Sequence, residues 1–257
     1  ELLDKNVNII IGPIFSDKVS ELGSISENSK IPILTFSNNL EITSDSIFAG
    51  GLTLENEVET ILNFSLKEGY KKFAIIAPEN SYGKRIVKKT EEYLSSRDAY
   101  VNKTILFNKD NPDFYEVAKN ISNYDIRKQA LKDEIESLKT LNTLESNNKI
   151  KLLKRKDTLG ELEFEALLIT VENFQQLSLL SSILPYYDVD QKKVQYLGTS
   201  VWNKDVVVKE PGLDNAVFVS LDKSKVSIFE NIYKDSFDKN PHPIAIYAFD
   251  TIGLISS

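Results

Sequence analysis

With 257 residues, 41% of them hydrophobic, the chain can bury the core of one large domain or of two ordinary lobes. Its 31 Lys and Arg are interspersed with 38 Asp and Glu for a formal charge of −7, so it presents no broad cationic face and nucleic acid is not an expected partner. The absence of cysteine and the single histidine, His242, exclude disulfides, thiol nucleophiles, thiolate metal sites and multi-histidine metal sites.

In chain order, five β-rich runs stand out: "VNIIIG", "IPILTFS", "KFAIIAPE", "ALLITV" and "VQYLGTS". Helical patterns fall between them, at Asp17 to Asn28, at Leu54 to Glu68 ended by Gly69, at Gly83 to Ser95, and at Asp113 to Ser122 opened by Asn111-Pro112. Near-continuous apolar strands alternating with amphipathic helices predict parallel sheets covered on both faces, the α/β class. In such sheets the loops at the carboxyl ends of the strands gather together and hold ligands.

From Asp125 to Leu162 the rhythm changes. Leu131, Ile135, Leu138 and Leu141 recur at helical spacing, Asn147-Asn148 follow, and a short basic helix runs through Ile150 and Leu153. This pattern predicts a helical hairpin inserted before "ALLITV", whose apolar stripe either closes on itself or serves as a docking arm. The run "KIKLLKRK" reads as a solvated helix face. No apolar stretch reaches the ~18 residues of a membrane span, so no transmembrane segment is expected. The chain opens in a helix-like phrase, "ELLDKNVN", and has no methionine, as a piece of a longer protein would.

Candidate ligand residues cluster at strand ends. After the first strand come Gly12, Pro13 and Ser16, where a hydroxyl and free helix amides can face an anion, although Ser16 or Asp17 equally reads as a plain cap. The second strand ends in Ser37, Asn38 and Asn39, and Gly50-Gly51 mark a strand leaving the first lobe. Tyr82 follows the third strand, and "LGTSVW" sets Gly198, Thr199, Ser200 and Trp202 at the end of another, the indole being either a ligand platform or a core anchor. Glu172 and Asp222 stand just after strand-like runs and can either meet an ammonium or complement a helix dipole. No GxxxxGK[ST], GxGxxG or GxSxG is present, and His242 lies between prolines with no acid or nucleophile at recognisable spacing, so neither an enzyme nor a cofactor is expected.

The ordered set "IIIGPIFSDKV", "IPILTFSNN", "IFAGGLTLENEVETI", "KFAIIAPENSYGKRIV", "ALLITVENFQQL", "YLGTSVWN" and "PIAIYAFDTIGLI" resembles the type I periplasmic-binding-protein fold of leucine/isoleucine/valine-type receptors. Within it, the insert ending in "KRKDTLGELEFEALLI", together with "YLGTSVWN" and "NPHPIAIYAFDTIGLI", is similar to the bacterial penicillin-binding-protein activators, lipoprotein-type regulators of peptidoglycan synthases. The resemblance implies a two-lobed protein. Lobe one would comprise residues 1–53 and 222–257, without its first βα unit, and lobe two residues 54–221, with the insert at about 125–162. It also implies a periplasmic location, with any outer-membrane anchor lying upstream of Glu1.

In amino-acid receptors of this fold, a serine and backbone amides matching Ser16 and Ser37 to Asn39 take the ligand carboxylate, an aromatic matches Tyr82, and an acid matching Ser200 takes the ammonium. Ser200 is neutral, and a buried ammonium without its carboxylate costs on the order of several kcal/mol, so Glu172 or Asp222 would have to take that part. That departure favours a non-enzymatic activator that contacts a penicillin-binding protein. The alternative is the solute receptor of an amino-acid transporter, with a small amino-acid-like ligand among these strand ends.

Overall fold

The computed structural model describes residues 7–14, 18–19, 21–22, 28, 30–37, 42–204, 206–242 and 244–256. The chain divides into two units, Glu1–Glu57 with Ser220–Ser257, and Val58–Val219. In the first unit, β1 (Ile10–Ile11), β2 (Ile33–Thr35) and β3 (Ile47–Ala49) form a parallel sheet in that order, around Val19, Ile33 and Ile47. Gly12 has a φ of 102°, which a side chain rarely tolerates. Its amide donates to Leu34 O (2.7 Å), and the Thr35 hydroxyl donates to Pro13 O (2.7 Å), tying the loop after β1 to the end of β2.

Helix α1 (Leu54–Lys67) stops where expected, at Gly69 with φ 95°. Beyond it lies the sheet of the second unit. Its strands are β4 (Lys72–Pro78), β5 (Tyr100–Phe107), β6 (Ala166–Ile169), β7 (Gln195–Gly198) and β8 (Val217–Phe218), all parallel in the order β5-β4-β6-β7-β8. Phe73 through Pro78 and all of β6 are buried, as strands covered on both faces require. Helices α2 (Ser81–Ser95) and α3 (Phe114–Ile121) pack on this sheet. The core runs from Ile76, Leu167 and Ile169 to Phe107, Phe114, Leu180 and Trp202.

Strand β5 is absent from the apolar runs because Asn102, Lys103 and Thr104 interrupt it, and it needs no continuous apolar face because it is the sheet's edge. Lys103 Nζ donates to Asn120 O and Asn123 Oδ1, placing a charged side chain beside that edge, a device that discourages pairing with another strand. The start of α3 also differs from the expectation. Asp113, not Asn111, is the cap, its side chain accepting from Glu116 N (3.0 Å).

Insert helices α4 (Tyr124–Leu141) and α5 (Leu144–Leu153) form the expected hairpin, with Leu131, Leu138, Ile150 and Leu153 closing on one another. Its turn is Asn142-Thr143 rather than Asn147-Asn148. Thr143 and Ser146 form a reciprocal capping box that starts α5 earlier and leaves both asparagines inside the helix. Leu141 falls outside the closed stripe and is exposed.

Helix α6 (Phe174–Ile183) follows β6, and α7 (Lys223–Phe237) and α8 (Ala245–Ser256) complete the first unit, where Phe229 packs against Phe249 and Tyr233.

One contact at the foot of the larger sheet carries a pH signature. Glu165 Oε2 accepts from the backbone amides of Lys71 (2.8 Å) and Lys72 (3.1 Å), pinning the start of β4 beside β6. The Lys71 amide is the main reason its carboxyl sits below the usual carboxylate range, with partial burial opposing and the Lys72 amide and charge assisting. A depressed folded-state value means that this contact stabilises above the unfolded carboxylate pKa of about 4.3 and is lost as pH falls through the lower folded value. Glu165→Gln is therefore expected to flatten the acid limb of melting temperature against pH. Parallel limbs for parent and variant would refute this.

Candidate functional site

Because β4, β6 and β7 are parallel neighbours, their carboxyl ends open on one rim of the second unit. Asn80, just beyond β4, caps α2 by accepting from Gly83 N (2.9 Å), and its Nδ2 donates to Glu172 Oε1 (3.1 Å) beyond β6. Helix α2 can start this close to the strand because Gly83 has no side chain. A Cβ there would stand 2.0 Å from Pro78 O. The Glu172 amide donates to Gln176 Oε1 (3.0 Å), and Asn173 caps α6 by accepting from Gln176 N (3.0 Å). Across the rim, the Tyr82 hydroxyl lies 3.4 Å from Thr199 Oγ1 at the end of β7.

The rim thus brings together Tyr82, which is half-buried, Glu172, whose carboxylate is exposed, and buried Thr199. Ser200 follows Thr199 at the start of a 3-10 turn, Ser200–Trp202. Trp202 itself is fully buried, its ring pressed beneath Gly198, so it anchors the core instead of offering a face to a ligand. Asp222 caps α7, accepting from Ser224 N (2.9 Å) and the Ser224 hydroxyl (2.6 Å). Those bonds, the hydroxyl foremost, hold its carboxyl below the usual range, which is the helix-start role weighed for it above.

Ser37 is buried at the end of β2, with its amide donating to Thr35 Oγ1 (3.1 Å), while Ser16, Asn38 and Asn39 lie outside the described residues. His242 Nδ1 accepts from Ile244 N (3.3 Å) in an exposed loop. Among the described residues, no group of three or more His, Cys, Asp or Glu side chains could hold a metal ion.

One residue of the rim, Asn80, is not among the candidates drawn from the sequence. Its signal is local, since "NSYG" has the pattern of a cap followed by a small residue three positions on. Thr199, in "LGTSVW", is a sequence candidate that the structure does bring to the rim, opposite the Tyr82 hydroxyl.

A parallel α/β unit of this kind offers a ligand the crevice outside the carboxyl ends of its strands. The chain belongs to the periplasmic binding protein family, whose sequence pattern matches residues 1–255. Among solved structures, it is similar to a Rhodospirillum rubrum protein described as a branched-chain amino acid ABC transporter (TM-score 0.68, 14% identity, 97% of this chain and 63% of that one). It is also similar to the leucine binding protein LivK of Thermotoga maritima (TM-score 0.57, 14% identity, 96% and 62%). A third is a solute binding protein of Rhodopseudomonas palustris in complex with 3,4-dihydroxy benzoic acid (TM-score 0.56, 15% identity, 99% and 62%). At these identities the likeness is one of fold. An uncharacterized protein of Rickettsia prowazekii is 28% identical over 124 residues, 48% of this chain and 33% of that protein. The chain spans less than two thirds of the length of each of these proteins.

Proposed function

We propose that the chain is the ligand-recognising part of a periplasmic solute-binding protein and takes a small amino-acid-like solute, with Glu172 receiving the ammonium. The observation that carries this reading is the Asn80–Glu172 pair on the rim. Asn80 donates to one carboxylate oxygen and steadies the group, leaving an exposed negative charge on the rim whose strand ends also carry Tyr82 and Ser200. Family membership supports recognition without reaction and a periplasmic location. The solved proteins favour a transporter's receptor over the activator expected above, since their names concern transporters, leucine and a benzoate ligand. Contact with a penicillin-binding protein rests on the sequence phrases alone.

Calorimetric titration with a panel of amino acids and benzoates tests the proposal. An α-amino acid is expected to bind, and Glu172→Gln to weaken it roughly 10- to 100-fold by removing a charge-assisted hydrogen bond. Tighter binding of benzoates than of any amino acid, or equal binding by parent and variant, would overturn the role given to Glu172.

A further inference from the structure

The insert carries charge opposite to the rest of the protein. Residues 144–156 hold five basic residues and one acid, a net +4 in a chain of −7, so the remainder sums to −11. Helix α5 turns Ser146, Ile150 and Leu153 inward against α4. Its other face, at helical spacing, presents Leu144, Asn148, Lys151 and Leu152, with Arg155 just past the helix end. Leu144 is 80% exposed and Leu152 62%, and Leu141, the last residue of α4, is 60% exposed. Lys149 is paired with Glu134, whereas Lys151, Lys154, Arg155 and Lys156 make no ion pair among the described residues.

We infer that this face docks on a bilayer surface rich in anionic lipid headgroups. Charge complementarity selects an anionic occupant. The exposed leucines between the bases select one that also accepts apolar groups, which the headgroup and acyl boundary does. A deformable, charged plane can meet the bases and the leucines of this one helix face together. The −11 of the chain outside residues 144–156 is repelled by the same surface, which leaves this basic segment as the part to face it. This inference is independent of the ligand rim.

Vesicles of phosphatidylglycerol and phosphatidylcholine in equal parts, co-sedimented with the protein, test it. The chain is expected to bind these vesicles, to be released by salt, and to ignore pure phosphatidylcholine. Each of Lys151→Gln and Arg155→Gln should lower the partition coefficient roughly fivefold. Leu144→Ser combined with Leu152→Ser should lower it roughly tenfold. All four side chains are exposed, so circular dichroism should be unchanged. Absence of binding, equal binding to neutral vesicles, or indifference to the basic substitutions would overturn the inference. Equally tight, leucine-independent binding of soluble polyglutamate would overturn it in favour of an acidic protein partner.

Discussion

Gly198→Ala is expected to destabilise the second unit by about 3 kcal/mol, a fall in melting temperature of roughly 6–12 °C. A Cβ at this position would lie 2.2, 2.5 and 2.6 Å from three ring atoms of Trp202, closer than any real contact. The ring cannot retreat, because Trp202 is completely buried within the core that also contains Val207, Leu213 and Tyr196. The glycine is therefore required by the indole and not by its own backbone. Pairing the change with Trp202→Leu should make the double variant less destabilised than the sum of the single ones, since the clash disappears with the ring while the lost packing remains. Strictly additive melting shifts would show that Gly198 matters for some other reason. Because Thr199 and Ser200 follow directly, the same substitution should also weaken any ligand held at the rim.

Arg127→Ala is expected to cost about 2–3 kcal/mol and to loosen the insert selectively. Arg127 Nη1 stands 3.3 Å from Asp188 Oδ2, Nη2 donates to Gly160 O (2.9 Å), and Leu159 N donates to Arg127 O (3.1 Å). Thr158 donates its hydroxyl to the same Asp188 oxygen, and the Tyr124 ring meets Tyr187 edge-on, 5.1 Å between centroids. With Arg127 only 13% exposed and Asp188 30%, this pair is shielded enough that losing one partner leaves the other poorly solvated. Some solvent access keeps the cost below that of a fully buried pair. Hydrogen exchange should rise across Tyr124–Leu141 and Leu144–Leu153 while β4 and β6 stay protected. Asp188→Asn should cost roughly 1 kcal/mol, because asparagine accepts the left-handed backbone at φ 67° and can still receive the Thr158 hydroxyl. Uniform exchange increases throughout the second unit would sink the idea of a local latch.

How far these features were legible depends on how local their causes are. The apolar string from Phe73 to Ala77 announces a strand covered on both faces, because only such a strand needs hydrophobic side chains at consecutive positions. The edge strand β5 hides its nature behind Asn102, Lys103 and Thr104, since half of its surface faces water and its identity comes from pairing with β4. The insert was readable as two helices, but the turn went to the wrong asparagines because a capping box between Thr143 and Ser146 outweighs an asparagine pair as a helix start. At the rim, Tyr82, Glu172 and Ser200 were recognisable as strand-end residues. Nothing local showed that Asn80, 92 positions away, would meet Glu172, or that the indole of Trp202 would turn inward.

The amino-acid order by itself therefore determined the α/β class, the parallel strands, the hairpin and the stop of α1 at Gly69, all consequences of periodicity, glycine and caps acting within a few residues. Only the tertiary structure decided which strand ends adjoin, which polar groups pair across the rim, and which aromatic is consumed by the core. Those outcomes depend on contacts between residues far apart in the chain, where packing and hydrogen-bond satisfaction overrule any local preference.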